Sequence, residues 1–360
     1  MKKICIISTR FDPDLGGSEV LSKTLANFFY ENKYILEVIT TRSLLPRQHN
    51  NYKFKIHELD FNNFMYFNEI IKNNNYEACL FICDLNSPFL NFYDLSCKNN
   101  FCILNLDERT YMVKDQYYNS CKNLKSFNKV FTFTKNSVAN KFLENNNIKN
   151  CYIQNFSRDI LKTNVDENYK TKIKLLFEKD SKLILYPGAY EERKNQKYLL
   201  QLLNGSSSLR EFNWLFVGAV SDKSYLDDCM SFSIKNKLNA KFLKASIDTS
   251  YIDKLYQVCD LVFLGSIAEG MPLVLIEALS ANIPWVSTDV GGVKGVLGES
   301  NTGSIIKINY TQNDAYNAIK LGLNNNIIVN RRKFWEQNFN VDDVLKIYEN
   351  KIQEAINDNF

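Results

Sequence analysis

The sequence predicts an α/β protein made of two doubly wound domains, and three observations lead there. Its 360 residues exceed one typical hydrophobic core. Short runs rich in β-branched and aromatic residues alternate with helical patterns, as in parallel sheets covered on both faces. The alternation weakens once, around residues 155–180, and then begins again.

In chain order, KICIIS (3–8) reads as a first strand, followed by a Gly-rich turn and a helix from Ser18 to Glu31. YILEVITT (34–41), KFKIHEL (53–59), EACLFIC (77–83), FCILNL (101–106) and KVFTFT (129–134) read as further strands. The polar stretch after Gln154 holds the interdomain linker, near 157–175, which gives an N-terminal domain 1–165 and a C-terminal domain 166–340. The second alternation runs KLILYPG (182–188), helix 195–203, NWLFVGA (213–219), helix 224–236, KFLK (241–244), helix 250–257, DLVFLGS (260–266), helix 272–281 and WVST (285–288). A last helix begins at Val341, and its segment 341–360 folds back on the first domain. Val344, Ile347, Tyr348 and Ile352 form its apolar stripe. The triple-Asn clusters at 73–75, 145–147 and 324–326 read as loop tips or helix ends. A cleft between two such domains is the natural ligand site.

Composition excludes several classes. Hydrophobic content of 45%, charged content of 23% and a net charge of +4 describe an ordinary globular protein without the basic excess of a nucleic-acid binder. Nine cysteines without a CxxC pair, and only two histidines, His49 and His57, argue against a zinc site. The cysteines read as small core residues in a reducing compartment. The apolar start stops at Ser8-Thr9-Arg10, too short for a secretory h-region, and no run approaches the ~20 apolar residues that span a bilayer. The expectation is a cytoplasmic protein, compatible with peripheral contact on the inner face of the plasma membrane.

Candidate chemistry concentrates in SIAEGMPLVLIEALSANIPW (266–285). Glu269 and Glu277 lie eight positions apart, and Glu277 falls inside an almost wholly apolar run. A buried carboxylate without a partner is costly, so something must meet it. Beside Gly270, with Pro272 in its first turn, a helix start offers amides suited to a phosphate. Glu277 lies about 7–8 Å further along the axis, with its side chain leaning back toward that start. Two acceptors at different depths suit a sugar nucleotide, one for hexose hydroxyls and one for a ribose diol. The opposing reading pairs Glu277 with a core Arg, Tyr or backbone group and leaves Glu269 as a loop cap. Spacing alone does not separate the two.

YPGAYEERKNQKYLL (186–200) repeats the strand, turn and helix pattern, with Gly188 at the turn and Arg193 and Lys194 beyond it. Cations there would neutralise a diphosphate leaving group, although each residue taken singly reads as part of a solvated turn. In FDPDLGGSEV (11–20), Gly16 and Gly17 would let backbone amides approach a phosphate or sugar. The segment is not GxGxxG, so a dinucleotide reading lacks its fingerprint. Asp12 and Asp14 match an Asp-x-Asp metal motif only superficially, and Pro13 between them favours a loop-shaping role.

EGMPLVLIEALSANIPWVSTDVGG closely resembles the signature of glycosyltransferase family 4, the retaining GT-B enzymes: Glu, seven residues, Glu, a small-residue helix end, Pro, a strand and an Asp-x-Gly-Gly turn. The resemblance extends to FDPDLGGSE, YPGAYEERKN, LFVG (215–218), the helix before CDLVFLGS and the Trp335 to Tyr348 tail, and is weak across 45–125. It implies a GT-B fold, with two Rossmann-like domains facing across a cleft and a C-terminal helix crossing back. It also implies that Glu269 faces the donor sugar, with the backbone of Met271, Pro272 and Leu273 near the sugar or phosphates. Glu277 would hold the ribose and Lys194 the diphosphate, while Gly16 and Gly17 would form the first-domain glycine loop. Such enzymes use no metal or other cofactor and retain anomeric configuration, the leaving phosphate helping to deprotonate the acceptor. Two departures stand out. The arginine the family carries five residues before the lysine is Ala189 here, with Arg193 as a candidate substitute. The family's cleft histidine is matched by Asp107, with Arg109 two residues on.

The resemblance thus implies sugar transfer from a UDP- or GDP-sugar to a glycan or polyprenyl- or lipid-linked acceptor, in bacterial surface polysaccharide or lipopolysaccharide biosynthesis. The alternatives are a sugar-nucleotide epimerase and a non-catalytic member that binds a nucleotide sugar or a partner transferase. Ala189 and the missing histidine favour the non-catalytic reading; the glutamate pair and Lys194 count against it. On the acceptor side, Lys122, Lys125 and Lys129 at helical spacing, near Tyr117, Tyr118 and Phe127, offer a basic surface for an anionic bilayer or a polyprenyl diphosphate. A solvated lysine face is the simpler reading.

Overall fold

In the computed structural model, the first apolar run becomes an interior strand of a seven-stranded parallel sheet. Its strands are β1 (Lys3–Ser8), β2 (Ile35–Thr41), β3 (Lys55–Leu59), β4 (Ala78–Cys83), β5 (Asn100–Leu104), β6 (Lys129–Thr132) and β7 (Asn150–Tyr152), in the order β3-β2-β1-β4-β5-β6-β7. Helices α1 (Gly17–Glu31), α2 (Met65–Asn74), α3 (Pro88–Phe92), α4 (Tyr118–Lys125) and α5 (Val138–Asn145) connect them. The structure describes all residues except 14–15, 44–46, 48–50, 61–62, 64, 105–117, 136–137, 179, 246–248, 325–329 and 358–360. β4 and β5 are buried at every position, as strands covered on both faces must be.

The second sheet has six parallel strands: β8 (Leu183–Pro187), β9 (Asn213–Gly218), β10 (Ala240–Lys244), β11 (Leu261–Leu264), β12 (Trp285–Thr288) and β13 (Gly303–Ile306), ordered β10-β9-β8-β11-β12-β13. Its helices are α6 (Glu167–Lys174), α7 (Gln196–Gly205), α8 (Lys223–Lys235), α9 (Thr249–Val258), α10 (Leu273–Ser280), α11 (Val293–Leu297), α12 (Gln312–Gly322) and α13 (Arg331–Asn338). Strand order reverses between β1 and β4 in one sheet and between β8 and β11 in the other. At such switch points the loops leaving adjacent strands diverge and leave room for a ligand.

Helix α14 (Val341–Asn357) closes the chain, and the residues from Asp342 on group with the first unit, Met1–Gln154. Its buried stripe is Val344, Leu345, Tyr348, Ile352, Ala355 and Ile356, so Leu345 takes the place expected for Ile347. The Tyr348 ring meets Phe131 of β6 edge-on at 5.4 Å, and Tyr34 donates to Glu349 at 2.9 Å.

The boundary between the units differs from the sequence reading. Asn155–Val341 is the second unit, so residues 155–165 belong to it and not to the N-terminal domain. The cause is a set of anchors that polarity alone conceals. Phe156 and Ile160 are buried, Trp335 donates to Ser157 at 2.9 Å, and Ile160 N–H donates to Ser280 Oγ at 3.0 Å. Asp159 receives both arms of Arg332, at 2.5 and 2.8 Å. Within the expected linker, α6 forms behind an Asp166 cap that accepts from Tyr169 N–H at 2.7 Å. Only Ile173 of that helix is buried, which leaves little apolar period to read.

The Asn clusters fall where helices end. Asn75 and Asn147 follow α2 and α5 with φ of 48° and 55°, in the left-handed region that Asn tolerates better than most residues. The cluster at 324–326 lies partly outside the described residues. All nine cysteines are free thiols, and only Cys151 is not buried. The expected lysine face does not form, because α4 ends at Lys125 and Lys129 opens β6. Phe127 turns into the core, 5.2 Å from Phe81. Tyr117 lies outside the described residues, as does the side chain of Tyr118.

Candidate active site

Two loops of the second unit, after β8 and after β11, leave the adjacent strands where the order reverses, and their own residues hold them together. Tyr186, at the end of β8, receives the Gly265 N–H at 3.0 Å and donates to the Lys194 carbonyl at 2.5 Å, so one phenol joins both loops. Asn195, in the left-handed region at φ 59°, donates from its side chain to the Gly265 carbonyl at 3.1 Å. Ile267 N–H donates to the Arg193 carbonyl at 3.0 Å. Tyr190 anchors the turn from below by donating to the Leu243 carbonyl at 2.8 Å.

This frame delivers Glu269, Arg193 and Lys194 to one place. Glu269 is 6% exposed, with Lys194 Nζ at 2.6 Å from one carboxylate oxygen and Arg193 Nη1 at 2.9 Å from the other. Arg193 also donates to the Ala268 carbonyl at 3.0 Å and to Glu191 at 2.6 Å. Burial alone would raise the Glu269 carboxyl, but the Lys194 and Arg193 charges outweigh it and hold the group below its ordinary value. Position 189 carries no charge, and Arg193, four residues on, joins Lys194 at the same carboxylate. Gly188 faces the Lys194 stem, and a Cβ there would stand 3.4 Å from Lys194 Cδ, an ordinary contact.

Gly270 lies under the turn that follows β12. Gly292 N–H donates to its carbonyl at 2.7 Å, and Gly291, at φ 53°, approaches so closely that a Cβ would stand 2.0 Å from the Gly270 oxygen. The Asp-x-Gly-Gly element is therefore the backbone that shapes the Glu269–Gly270 loop. Pro272 is the N-cap of α10, in extended conformation, and not part of its first turn as expected. Met271 is buried, and its carbonyl accepts from Asn155 at 3.2 Å. Leu273 opens the helix; the Leu275 N–H donates back to the Pro272 carbonyl at 3.3 Å, and the amides of Leu273 and Val274 precede it.

Glu277, on α10, meets neighbouring side chains. Arg158 Nη1 donates to Oε1 at 2.7 Å and the Tyr256 hydroxyl to Oε2 at 2.7 Å. Arg158 also donates through Nε to Asp253 at 2.8 Å, and Thr163 donates to the other Asp253 oxygen at 2.9 Å. Burial works against the Arg158 charge, yet Glu277 and Asp253 outweigh it and raise the guanidinium above its ordinary value. Burial and Glu277 together push the Tyr256 phenol far up. The burial of Glu277 is thus satisfied within the protein, as the opposing sequence reading had it. Arg158, Asp253 and Tyr256 were not named from sequence. The only signal was that Glu277 required a partner, and nothing local says where it comes from.

Gly16 and Gly17 lie in the first unit, at the start of α1. Gly16 is extended backbone, and a Cβ there would stand 2.3 Å from the Glu19 carboxylate, so its small size already has an internal reason. Asp12 is held by Lys23 at 2.8 Å and by Tyr52. Asp14, His49, Asp107 and Arg109 lie outside the described residues. Among the described residues, no group of three or more His, Cys, Asp or Glu is placed to hold a metal ion.

Two parallel, doubly wound units, the second with its β8 and β11 loops joined at a switch point, have the GT-B fold. Among solved structures, Alr3699/HepE of Anabaena in complex with UDP superposes with a TM-score of 0.78 over 98% of this chain and 100% of that one, at 14% identity. Residues 168–340, nearly all of the second unit, match the family described as glycosyl transferases group 1, and this part of the chain belongs to that family. An uncharacterized glycosyltransferase of Methanocaldococcus jannaschii is 27% identical over 119 residues, 33% of this chain and 30% of its own length. TuaC of Bacillus subtilis, a putative teichuronic acid biosynthesis glycosyltransferase, is 52% identical over 40 residues, 11% of this chain and 10% of its own. The matches span less than a third of either relative.

Proposed function

We propose that this protein is a retaining glycosyltransferase. Its donor is a UDP- or GDP-sugar, and its acceptor is a glycan or a polyprenyl- or lipid-linked sugar in the assembly of a bacterial surface polysaccharide or lipopolysaccharide. The observation that carries the reading is the buried Glu269 held between Lys194 and Arg193 at the β8/β11 switch point. A donor diphosphate beside α10 would take the two cations as its counter-charge, and Glu269 would accept from hexose hydroxyls. The bond between the anomeric carbon and the phosphate oxygen breaks with its electron pair leaving on the nucleoside diphosphate. The acceptor oxygen bonds to the same face, and its proton passes to the departing phosphate. Glu277 holds the ribose. No metal is required, and the site of action is cytoplasmic, on the inner face of the membrane.

Alr3699/HepE, with UDP bound, supports the donor class, and the name of TuaC supports an envelope glycan. The test is a thermal-shift screen of UDP- and GDP-sugars on the full chain, followed by product analysis with isolated glycan and lipid-linked acceptors. Glycosylated product with retained configuration is expected, and Lys194→Ala should lower kcat roughly 100-fold or more while the variant still melts cooperatively. Donor binding without hydrolysis or transfer would replace this reading with that of a binding protein. An epimerised donor would replace it with an epimerase.

A further inference from the structure

To hold a ribose, the Glu277 carboxylate has to be aimed. Each Glu277 oxygen takes one donor from the protein, Nη1 of Arg158 and the hydroxyl of Tyr256, both at 2.7 Å. A carboxylate offers about four acceptor positions, so about two are left. Arg158 is itself anchored, with Nε and Nη2 both donating to one oxygen of Asp253 and Thr163 securing the other. Its guanidinium is planar, so the hold on Asp253 fixes the direction from which Nη1 meets Glu277.

Charge separates this network from the one around Glu269. Glu191, Arg193, Lys194 and Glu269 sum to zero, and their two cations can serve a phosphate. Asp253, Arg158 and Glu277 sum to minus one, and their single cation already faces two carboxylates. An anion is disfavoured there, whereas a neutral hydroxyl donor is welcome. We propose that Arg158 is a positioning residue which, fixed by Asp253, orients Glu277 so that its remaining acceptor positions take the 2′- and 3′-hydroxyls of a nucleoside diphosphate. The inference rests on the donor reading given under the proposed function.

Titration calorimetry with UDP and 2′-deoxy-UDP, and in parallel with GDP and 2′-deoxy-GDP, tests it on the full chain. The wild type should bind the ribo form about tenfold or more tightly than the deoxy form. Arg158→Lys should bring that ratio near unity while changing affinity for the deoxy form less than about threefold. A purely structural Arg158 would weaken both forms alike and leave the ratio intact, which overturns the inference. Asp253→Asn loosens the same anchor while keeping side-chain volume, and should reduce the ratio if Arg158→Lys does not fold. A wild type that binds both forms equally also overturns the inference while leaving the donor reading in place. Absence of binding to every nucleotide and nucleotide sugar overturns both.

Discussion

Glu37 and Glu269 show how the same residue type is tuned by what it touches. Glu37, on β2, accepts from Tyr76 at 2.7 Å and pairs with His57 at 2.6 Å and Lys3 at 2.9 Å. Burial raises its carboxyl, but those three partners outweigh it and bring the group down to about 2. A depressed folded value means that its contribution to stability is complete above the ordinary value of 4.5 and is lost as pH falls through about 2. Urea midpoints measured between those limits should therefore fall less steeply for Glu37→Gln than for the wild type. Parallel slopes would show that its partners do not stabilise the charged form. Glu269 follows the same sign, and its two partners are also the groups assigned to the donor, so its role in the fold and its role in chemistry share one set of contacts.

At the scale of elements, the site is made by turns that bring backbones together. Gly291 combines φ 53° with a Cβ position that would overlap the carbonyls of Gly270 and Glu269. Gly291→Ala should destabilise the second unit by roughly 1–3 kcal/mol, through backbone strain and displacement of the Glu269 loop. Chemical denaturation would measure it, with loss of nucleotide affinity as the accompanying sign. An unchanged midpoint and affinity would mean the turn has room to yield. The same logic explains which elements were legible in the sequence. Strands β4, β8 and β9 announce themselves as continuous apolar runs, because both faces of a parallel sheet are covered. β7 and β13 have no fully buried position, and α6 buries only Ile173, so neither period nor composition marks them.

For the whole molecule, the expected chemistry needs no metal, and a chelator test separates this from metal-assisted transfer. Transfer rates should be the same within experimental error before and after exhaustive EDTA dialysis; a loss restored by magnesium or manganese would overturn the metal-free mechanism. A donor that binds the folded state should also raise unfolding stability by about 2.7 kcal/mol at one hundred times its Kd. Among the described residues no helix is long and apolar enough to cross a membrane. The lysines proposed from sequence to meet a bilayer do not share one helical face, so contact with a lipid-linked acceptor has to be sought by vesicle flotation rather than inferred from that motif.

By itself the sequence determined the two alternations of strand and helix, the Asn-rich helix ends, and the placement of Glu269 on a loop with Glu277 on the helix that follows. These are local properties, set by hydrophobic period, turn chemistry and spacing within one strand-loop-helix segment. Only the tertiary structure decided who meets whom. Lys194 reaches Glu269 across 75 positions because β8 lies beside β11, and Arg158 reaches Glu277 across 119 because residues 155–163 pack within the second unit. Strand order and the docking of an irregular segment are outcomes of the whole packing, and no periodicity along the chain encodes them.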